Sequence, residues 1–324
     1  MRLVRANLFS SRRRKSCVIV GQDGWDIDVL VNLTFFYASY GFRVFFSKKP
    51  EPADLIVIMR FDPTSSLVFD NINTNTPIHI YPYVGYKPEA QVQQIKQFPV
   101  SIFAPSDSLL VDSELIFQRI AFPPVYIPFW SRYSEEREFE FVHIGNLKRI
   151  NGTGTWREAE ELIKVLQNEK AHVWGRGWNQ VINISNWHGP VGILRVPNIY
   201  SRTKYALGLM YPYQIRSRTI SGRFWQAPLC GAALVCENSV RQVIPGVYPI
   251  GLDNIEHKIC GIIDEPTKIQ DQAKRFWEGK WSELKEMVTQ SLELMPPLET
   301  GRVSPRTILY NILWLFAKEG IIYA

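Results

Sequence analysis

The chain alternates short apolar strands with helices and loops twice over, and the two runs are parted by a charged stretch with no apolar period. That stretch is Ser131-Arg132-Tyr133-Ser134-Glu135-Glu136-Arg137-Glu138. Strand–helix alternation points to a mainly parallel sheet covered by helices, because parallel strands are joined only through crossovers. Before the charged stretch the strand candidates are Cys17–Val20, Arg43–Ser47, Leu55–Met59, Ile78–Tyr81, Ser101–Ala104 and Val125–Ile127. A helix fills Asp26–Tyr40 and ends at Gly41. After the charged stretch the strands are Phe139–Ile144, His172–Trp174, Tyr205–Met210, Ala232–Cys236 and Val247–Ile250. Thr155 and Glu158 form a capping box for a helix running to about Glu169.

Helices are also predicted over Pro266–Glu278 and Ser282–Leu294. A last one starts at Ser304 with Pro305 in the first helical position, and carries Ile308, Leu309, Ile312, Leu313 and Phe316 on one stripe. The expected organisation is a basic arm over residues 1–15 and two α/β domains over 16–133 and 134–303. A C-terminal helix over 304–324 packs back on the protein. A chain of 324 residues gives each domain a core of ordinary size.

Charge narrows the function. Of 37 basic residues, Arg2, Arg5, Arg12, Arg13, Arg14 and Lys15 fall in the arm, leaving the rest balanced at 31 against 31 acids. A nucleic-acid-binding body carries a basic stripe of its own, so nucleic acid is not expected as the main partner. The apolar run after the arm is too short for a secretory signal. The arm reads as a solvated tail, or as a weak contact with an anionic membrane surface worth about 1 kcal/mol per basic residue. No apolar run reaches the ~20 residues that cross a bilayer. Cys17, Cys230, Cys236 and Cys260 lack metal-ligand spacing and read as reduced thiols. The expectation is a soluble, cytoplasmic protein, peripheral at a membrane at most.

Polar residues gather where the predicted strands end, which is where open α/β sheets bind ligands. The first half offers Gly21-Gln22-Asp23-Gly24 and Arg60-Phe61-Asp62. The second offers a glycine-rich basic loop, Gly145-Asn146-Leu147-Lys148-Arg149-Ile150-Asn151-Gly152-Thr153-Gly154. This loop has the parts of a phosphate cradle, with a flexible surface turn as the competing reading. It has neither the G-K-[ST] ending of a P-loop nor a G-x-G-x-x-G fingerprint. From Ser217 to Cys236 a basic loop enters a short helix that Gly231 stops. Ser221 is the expected N-cap, Gly222 allows close approach to the backbone, and Arg218 and Arg223 add charge for an anion.

Four pieces occur in a fixed order: Val142-His143-Ile144-Gly145-Asn146, Val173-Trp174-Gly175-Arg176-Gly177-Trp178, Trp187-His188-Gly189-Pro190-Val191, and the stretch Arg223–Gly231. In this order they resemble the second domain of GT-B glycosyltransferases, particularly the CgeB-like (spore-maturation protein) branch. The resemblance covers roughly residues 139–240. It implies a GT-B fold, two Rossmann-like domains facing across a cleft, and a hexosyltransferase-type enzyme. The donor would be a nucleotide sugar bound in the second domain, the acceptor a glycan, lipid or protein bound in the first.

By the same resemblance the turn at Gly145 and Asn146, with Lys148, lies beneath the diphosphate. Gly175, Arg176 and Gly177 face the nucleobase, with Trp178 either stacking on it or buried in the core. Ser221, Gly222, Arg223 and Arg218 hold the phosphates, and position 226 contacts the ribose. Gln226 departs from the family, which usually has Glu there. An amide accepts through one neutral oxygen, so donor binding is altered, or the chain is a catalytically silent nucleotide-sugar-binding or scaffold protein. If the reaction inverts, the base comes from the first domain, with Asp23 leading and His79 and Asp62 following. No dense Asp/His constellation suggests a metal, and no cofactor beyond the nucleotide sugar is expected. Tyr81–Tyr86 and Tyr211–Tyr213 read as an acceptor groove or as packed proline turns.

Overall fold

The structure is a computed structural model. It describes residues 15–21, 27–59, 67–82, 92–93, 95–112, 116–147, 160–168, 171–180, 186–210, 220–237, 244–250 and 265–293. The arm up to residue 14 and the predicted helix over 304–324 lie outside these residues.

The first half forms a six-stranded parallel sheet in the order β2-β1-β3-β4-β5-β6. Its strands are β1 (Ser16–Val20), β2 (Arg43–Ser47), β3 (Leu55–Ile58), β4 (Ile78–Ile80), β5 (Val100–Ala104) and β6 (Phe117–Ile120). The inner strands β3, β4 and β5 are buried at every position, which is why they read as unbroken apolar runs. Helix α1 (Ile27–Ser39) packs on one face and buries residues from Val29 to Ala38.

One expected strand is corrected. Val125–Ile127 is not in the sheet, and the sixth strand is β6, whose side chains are half-buried or exposed. An edge strand needs no apolar run, so its sequence gave no signal. The 125–127 stretch is apolar for another reason. It docks on α1, where the buried Asn32 Oδ1 accepts from the Tyr126 N–H at 2.9 Å and the Trp130 indole at 2.7 Å. Prolines 123, 124 and 128 keep it out of a ladder, and Pro128 instead starts the short α2 (Ile127–Trp130).

The second half forms a five-stranded parallel sheet in the order β11-β10-β9-β7-β8. Its strands are β7 (Phe139–Ile144), β8 (His172–Trp174), β9 (Thr203–Leu207), β10 (Ala233–Glu237) and β11 (Val247–Ile250). The described helices are α3 (Glu160–Asn168), α4 (Val196–Ser201), α5 (Arg223–Gln226) and α6 (Pro266–Leu292). The pairing Val173↔Trp187 adds residues 186–189 along the outer edge of β8. In each sheet the second strand lies on one side of the first and the third on the other. This places the topological switch points between β1 and β3, and between β7 and β9.

A second correction concerns α6. The two helices expected on either side of Gly279 are one helix of 27 residues. It buries Ile269, Ala273 and Trp277 in its first half and Leu284, Val288 and Leu292 in its second, and all of these but Ile269 share one apolar cluster with α1 and with the second sheet. Gln270 Nε2 donates to the carbonyls of Arg132 and Leu229, and the Tyr40 hydroxyl donates to that of Lys285. Packing on both sides outweighs the ~1 kcal/mol that a mid-helix glycine costs. The apolar core therefore runs unbroken from one half to the other, while each sheet keeps a separate core on its far face. Cys17, Cys230 and Cys236 are buried. Among the described residues no helix is long and apolar enough to cross a membrane.

Candidate active site at the carboxyl ends of the second sheet

The switch point of the second sheet is spanned by one side chain. Arg223 Nε donates to the Ile144 carbonyl at the end of β7 (2.8 Å), and its Nη1 to the Leu209 carbonyl beyond β9 (3.1 Å). A parallel sheet leaves its last carbonyls unpaired at this edge, and a guanidinium with five donors satisfies two of them. Its Nη2 lies toward Gly145, where an added Cβ would stand 2.6 Å away. Charge is thus fixed in a crevice where the backbone comes close.

The two glycine loops are joined. Gly175 has φ +142°, and a Cβ there would overlap the Gly145 carbonyl oxygen, so only glycine fits. The Arg176 N–H donates to Asn146 Oδ1 at 2.8 Å, and the Leu147 N–H to the Arg176 carbonyl at 2.8 Å. Gly177 packs against the Leu147 carbonyl. Trp178 does not offer a stacking face. It is fully buried, its indole N–H donates to the Gly145 carbonyl at 2.7 Å, and it props the loop from below. The core reading of this tryptophan holds.

Under the loop lies His143, which sequence reading did not single out as a site residue. It is buried and meets Trp178 edge to face. Its Nδ1 is 2.9 Å from the Leu207 carbonyl, which assigns the proton to Nδ1. Burial, and then the charge of Arg223, push its pKa down to about 3, so the ring is neutral at pH 7. Arg223, held on two carbonyls, is therefore a permanent cation of this crevice above a neutral ring.

The turn around α5 departs from expectation in two ways. Ser221 does not cap the helix with its side chain; Gly222 is the N-cap residue, and no side-chain cap bond forms. The anion beside Gly222 belongs to the protein. Asp28, in the first turn of α1, places Oδ2 so close that a Cβ at Gly222 would overlap it. The same oxygen accepts from Gln226 Nε2 at 3.2 Å, across 198 residues of sequence. Tyr200 lies near enough for Asp28 and Arg223 to act on its hydroxyl with opposite sign. That hydroxyl is fully buried and has no hydrogen-bond partner among the described residues.

The structure thus brings together Gly145, Asn146, Gly175, Arg176, Gly177 and Arg223, with Ser221, Gly222 and Gln226 one turn away. Lys148, Arg218, Asp23 and Asp62 lie outside the described residues, as do residues 83–86 and 211–213 of the aromatic clusters. His79 is elsewhere. It is fully buried in the first sheet, with Nδ1 at 2.7 Å from the Tyr37 hydroxyl and Nε2 at 3.1 Å from that of Ser291. Burial pushes its pKa down to about 3. A ring enclosed in this way has no approach to a substrate and acts as packing. Tyr81 is likewise buried, 2.8 Å from the Tyr37 hydroxyl, so it lines no groove. Among the described residues no three His, Cys, Asp or Glu side chains cluster as for a metal. The sequence does hold one Asp-x-Asp triplet, Asp26-Ile27-Asp28, of which Asp26 lies outside the described residues.

The fold is that of the GT-B glycosyltransferases. Residues 156–274 match the family model described as glycosyl transferase-like. Among solved structures, AviGT4, a glycosyltransferase involved in avilamycin A biosynthesis, aligns with TM-score 0.57 at 12% identity, over 86% of this chain and 98% of that one. HepE of Anabaena in complex with UDP-glucose aligns with TM-score 0.56 at 10% identity, over 87% and 100%. An alpha-glucosyltransferase in complex with UDP and a mismatched DNA aligns with TM-score 0.52 at 11% identity, over 83% and 94%. No curated protein matches the chain by sequence.

Proposed function

We propose that this chain is a glycosyltransferase that moves a sugar from a nucleotide-diphosphate donor to an acceptor. The observation that carries the reading is Arg223 spanning the β7–β9 switch point beside Gly145. In the transfer, the anomeric carbon exchanges its bond to a diphosphate oxygen for one to the acceptor. Negative charge builds on the departing diphosphate, and a cation already held in place stabilises it without reorganising. Arg223 would supply that charge, with Lys148 and Arg218 adding to it. The close backbone at Gly145 and Asn146 would let the phosphates sit low in the crevice, and neutral His143 beneath would leave their field undisturbed.

The Gly175–Gly177 turn would meet the nucleobase. A base for the acceptor proton, if the reaction inverts, would come from Asp23 or Asp62 at the ends of β1 and β3. The order of the four motifs supports the CgeB-like branch and a hexosyl donor. Metal independence and a cytoplasmic location belong to the same proposal. A silent nucleotide-sugar-binding relative is the second reading, favoured by an amide at position 226 whose N–H is engaged by Asp28.

A thermal-shift screen with UDP, GDP, dTDP, ADP, CDP and their common sugars, with and without EDTA, tests the proposal. A ligand at 100 times its dissociation constant adds about 2.7 kcal/mol. A shift confined to one diphosphate family and unchanged by EDTA supports the donor and metal-free readings. Sugar transfer or slow donor hydrolysis then separates an enzyme from a silent binder. No shift with any ligand refutes the donor reading.

A further inference from the structure

Resting on that donor reading, we infer that His172 and His188 are positioning residues for the nucleobase turn. A proton shared between them clamps residues 186–189 to β8 and steadies Gly175, and acid opens the clamp. His172 Nδ1 and His188 Nε2 are 2.8 Å apart, with ring centroids at 5.1 Å and planes within 13°. Those values set the nitrogens head-on, each in the plane of the other ring, the arrangement of an N–H···N bond with one proton between. Lone pairs aimed at each other in this way do not converge on a third point, as they would around a metal. His188 also lies flat on Trp174, 4.3 Å between centroids, so its orientation is fixed.

The pair fastens a segment that has few other bonds. Asn186 and Val173 carbonyls accept from the Val173 and His188 amides, each at 2.9 Å. The remaining bonds go to Gly175: its N–H donates to the Gly189 carbonyl and its carbonyl accepts from the Trp187 indole, both at 2.9 Å. Both polar groups of the Gly175 backbone are thus held by this segment. Gly175 is also the residue packed hard on the Gly145 carbonyl, so a shift of the segment is passed to the crevice.

A neutral pair, or one with a single positive charge, keeps one bridging proton. Two charged rings would set N–H against N–H and break the bond. His172 is half-buried and His188 exposed, so solvent protons reach both. Burial holds both rings below the ordinary histidine value, and the charge of His188 lowers His172 further. On the packed elements, Phe139 faces His172 at 4.9 Å, Arg202 lies over Phe139 and pairs with Glu138, and Glu140 of β7 is exposed. Glu169 and Lys170 lie outside the described residues. The docked pair therefore binds fewer protons than the released one. The clamp is whole above about pH 6.5 and is lost as the pH falls through the lowered values of the pair.

Calorimetry at pH 7.5 and 5 tests this with UDP, GDP, dTDP, ADP and CDP, and with inorganic pyrophosphate. Wild type is compared with His188→Ala and with the double variant His172→Asn and His188→Gln, whose amides can bond to each other but do not titrate. At pH 7.5 the double variant should bind the preferred nucleotide within about threefold of wild type. His188→Ala should bind it about three- to tenfold more weakly, the scale of one hydrogen bond. From pH 7.5 to 5 wild type should lose about threefold or more beyond the loss of the double variant. Ionisation of the phosphates is common to both and cancels. Pyrophosphate, which has no base, should show no such difference.

Equal losses in wild type and double variant overturn the inference. A His188→Ala defect that the double variant shares, or a pyrophosphate loss as large as the nucleotide's, shows packing alone and overturns it too. If wild type binds none of the nucleotides at pH 7.5, the donor reading fails and takes the inference with it, so the two failures are distinct. Hydrogen exchange on wild type needs no variant to fold. Protection factors of the Val173, Gly175 and His188 amides should fall between pH 7.5 and 5 more than those of Ile56 and Ile78 in the first sheet. A parallel fall in all five overturns the inference.

Discussion

Each sheet buries a histidine in an inner strand, and burial pushes both to about pH 3, yet the two rings belong to different kinds of place. His79 has protein partners on both nitrogens, Tyr37 on one side and Ser291 of α6 on the other, and lies within closed packing. His143 spends Nδ1 on the Leu207 carbonyl, and its Nε2 points to the space above Gly145, 3.0 Å from where a Cβ would be. A depressed pKa therefore marks burial in both and a site in neither. The second region is set apart by backbone that comes close with no side chain between, next to a cation that is already anchored. The teaching is that a functional edge is recognised by what has been left out of it.

The strongest way to break this comparison is to fill that space. Gly175→Ala puts a Cβ into the Gly145 carbonyl at φ +142°, and is expected to cost about 3–5 kcal/mol and abolish nucleotide binding. Gly21→Ala, after β1 in the first sheet, meets a ring edge of Phe46 at 3.1 Å and should cost under about 1 kcal/mol. Urea unfolding of both variants measures the gap, and equal costs would erase the contrast.

Acid acts on both regions together. Between pH 6.5 and about 3 the unfolded chain binds more protons at His79 and His143 than the folded one. Stability is then full above pH 6.5 and drains as the pH falls, by several kcal/mol in all at 1.36 kcal/mol per unit. Urea midpoints at pH 7, 5.5 and 4 follow the loss. His79→Phe, which cannot take up the proton, should remove about half of this slope.

Two single substitutions pull the regions apart. His79→Phe is expected to cost about 1–3 kcal/mol of stability at pH 7, through the bonds lost to Tyr37 and Ser291, with nucleotide affinity unchanged. Arg223→Ala should weaken diphosphate binding by about 1.5–3 kcal/mol, read by calorimetry. If His79→Phe weakened binding as much as Arg223→Ala, the enclosed histidine would belong to the site after all. The smallest effect lies between the regions. Gly279→Ala meets nothing within 4 Å and should stabilise the protein by up to about 1 kcal/mol in thermal melts.

Legibility in the sequence followed the same division. Strands inside a sheet, such as Leu55–Ile58, could be read to within a residue, because burial on both faces demands an unbroken apolar run. The edge strand Phe117–Ile120 could not, since nothing forces its side chains inward. The false strand at Val125–Ile127 was apolar for docking on Asn32's helix, a demand that leaves no period of its own. The crevice parts that arise within one loop were legible: Gly145, Gly175 and Arg223. Trp178 was legible as a residue but not in its orientation, which a hydrogen bond to Gly145 decides. Asp28 was invisible as a partner of Gln226, because a contact across 198 residues has no local signature. The amide at 226 showed that something differed, but the carboxylate it meets sits in the other half of the chain.

Helix α6 has a mechanical consequence. At 1.5 Å per residue its 27 residues make a rod of about 40 Å, one end bolted beside Leu229 and Arg132, the other keyed to Tyr40 and His79. Neither sheet can swing toward the other unless the rod flexes or one of its fastenings slides. Gly279, whose side-chain position faces open space, is the natural place for it to bow. The gape of the crevice, far from this helix in sequence, is thereby geared to how straight the helix stands.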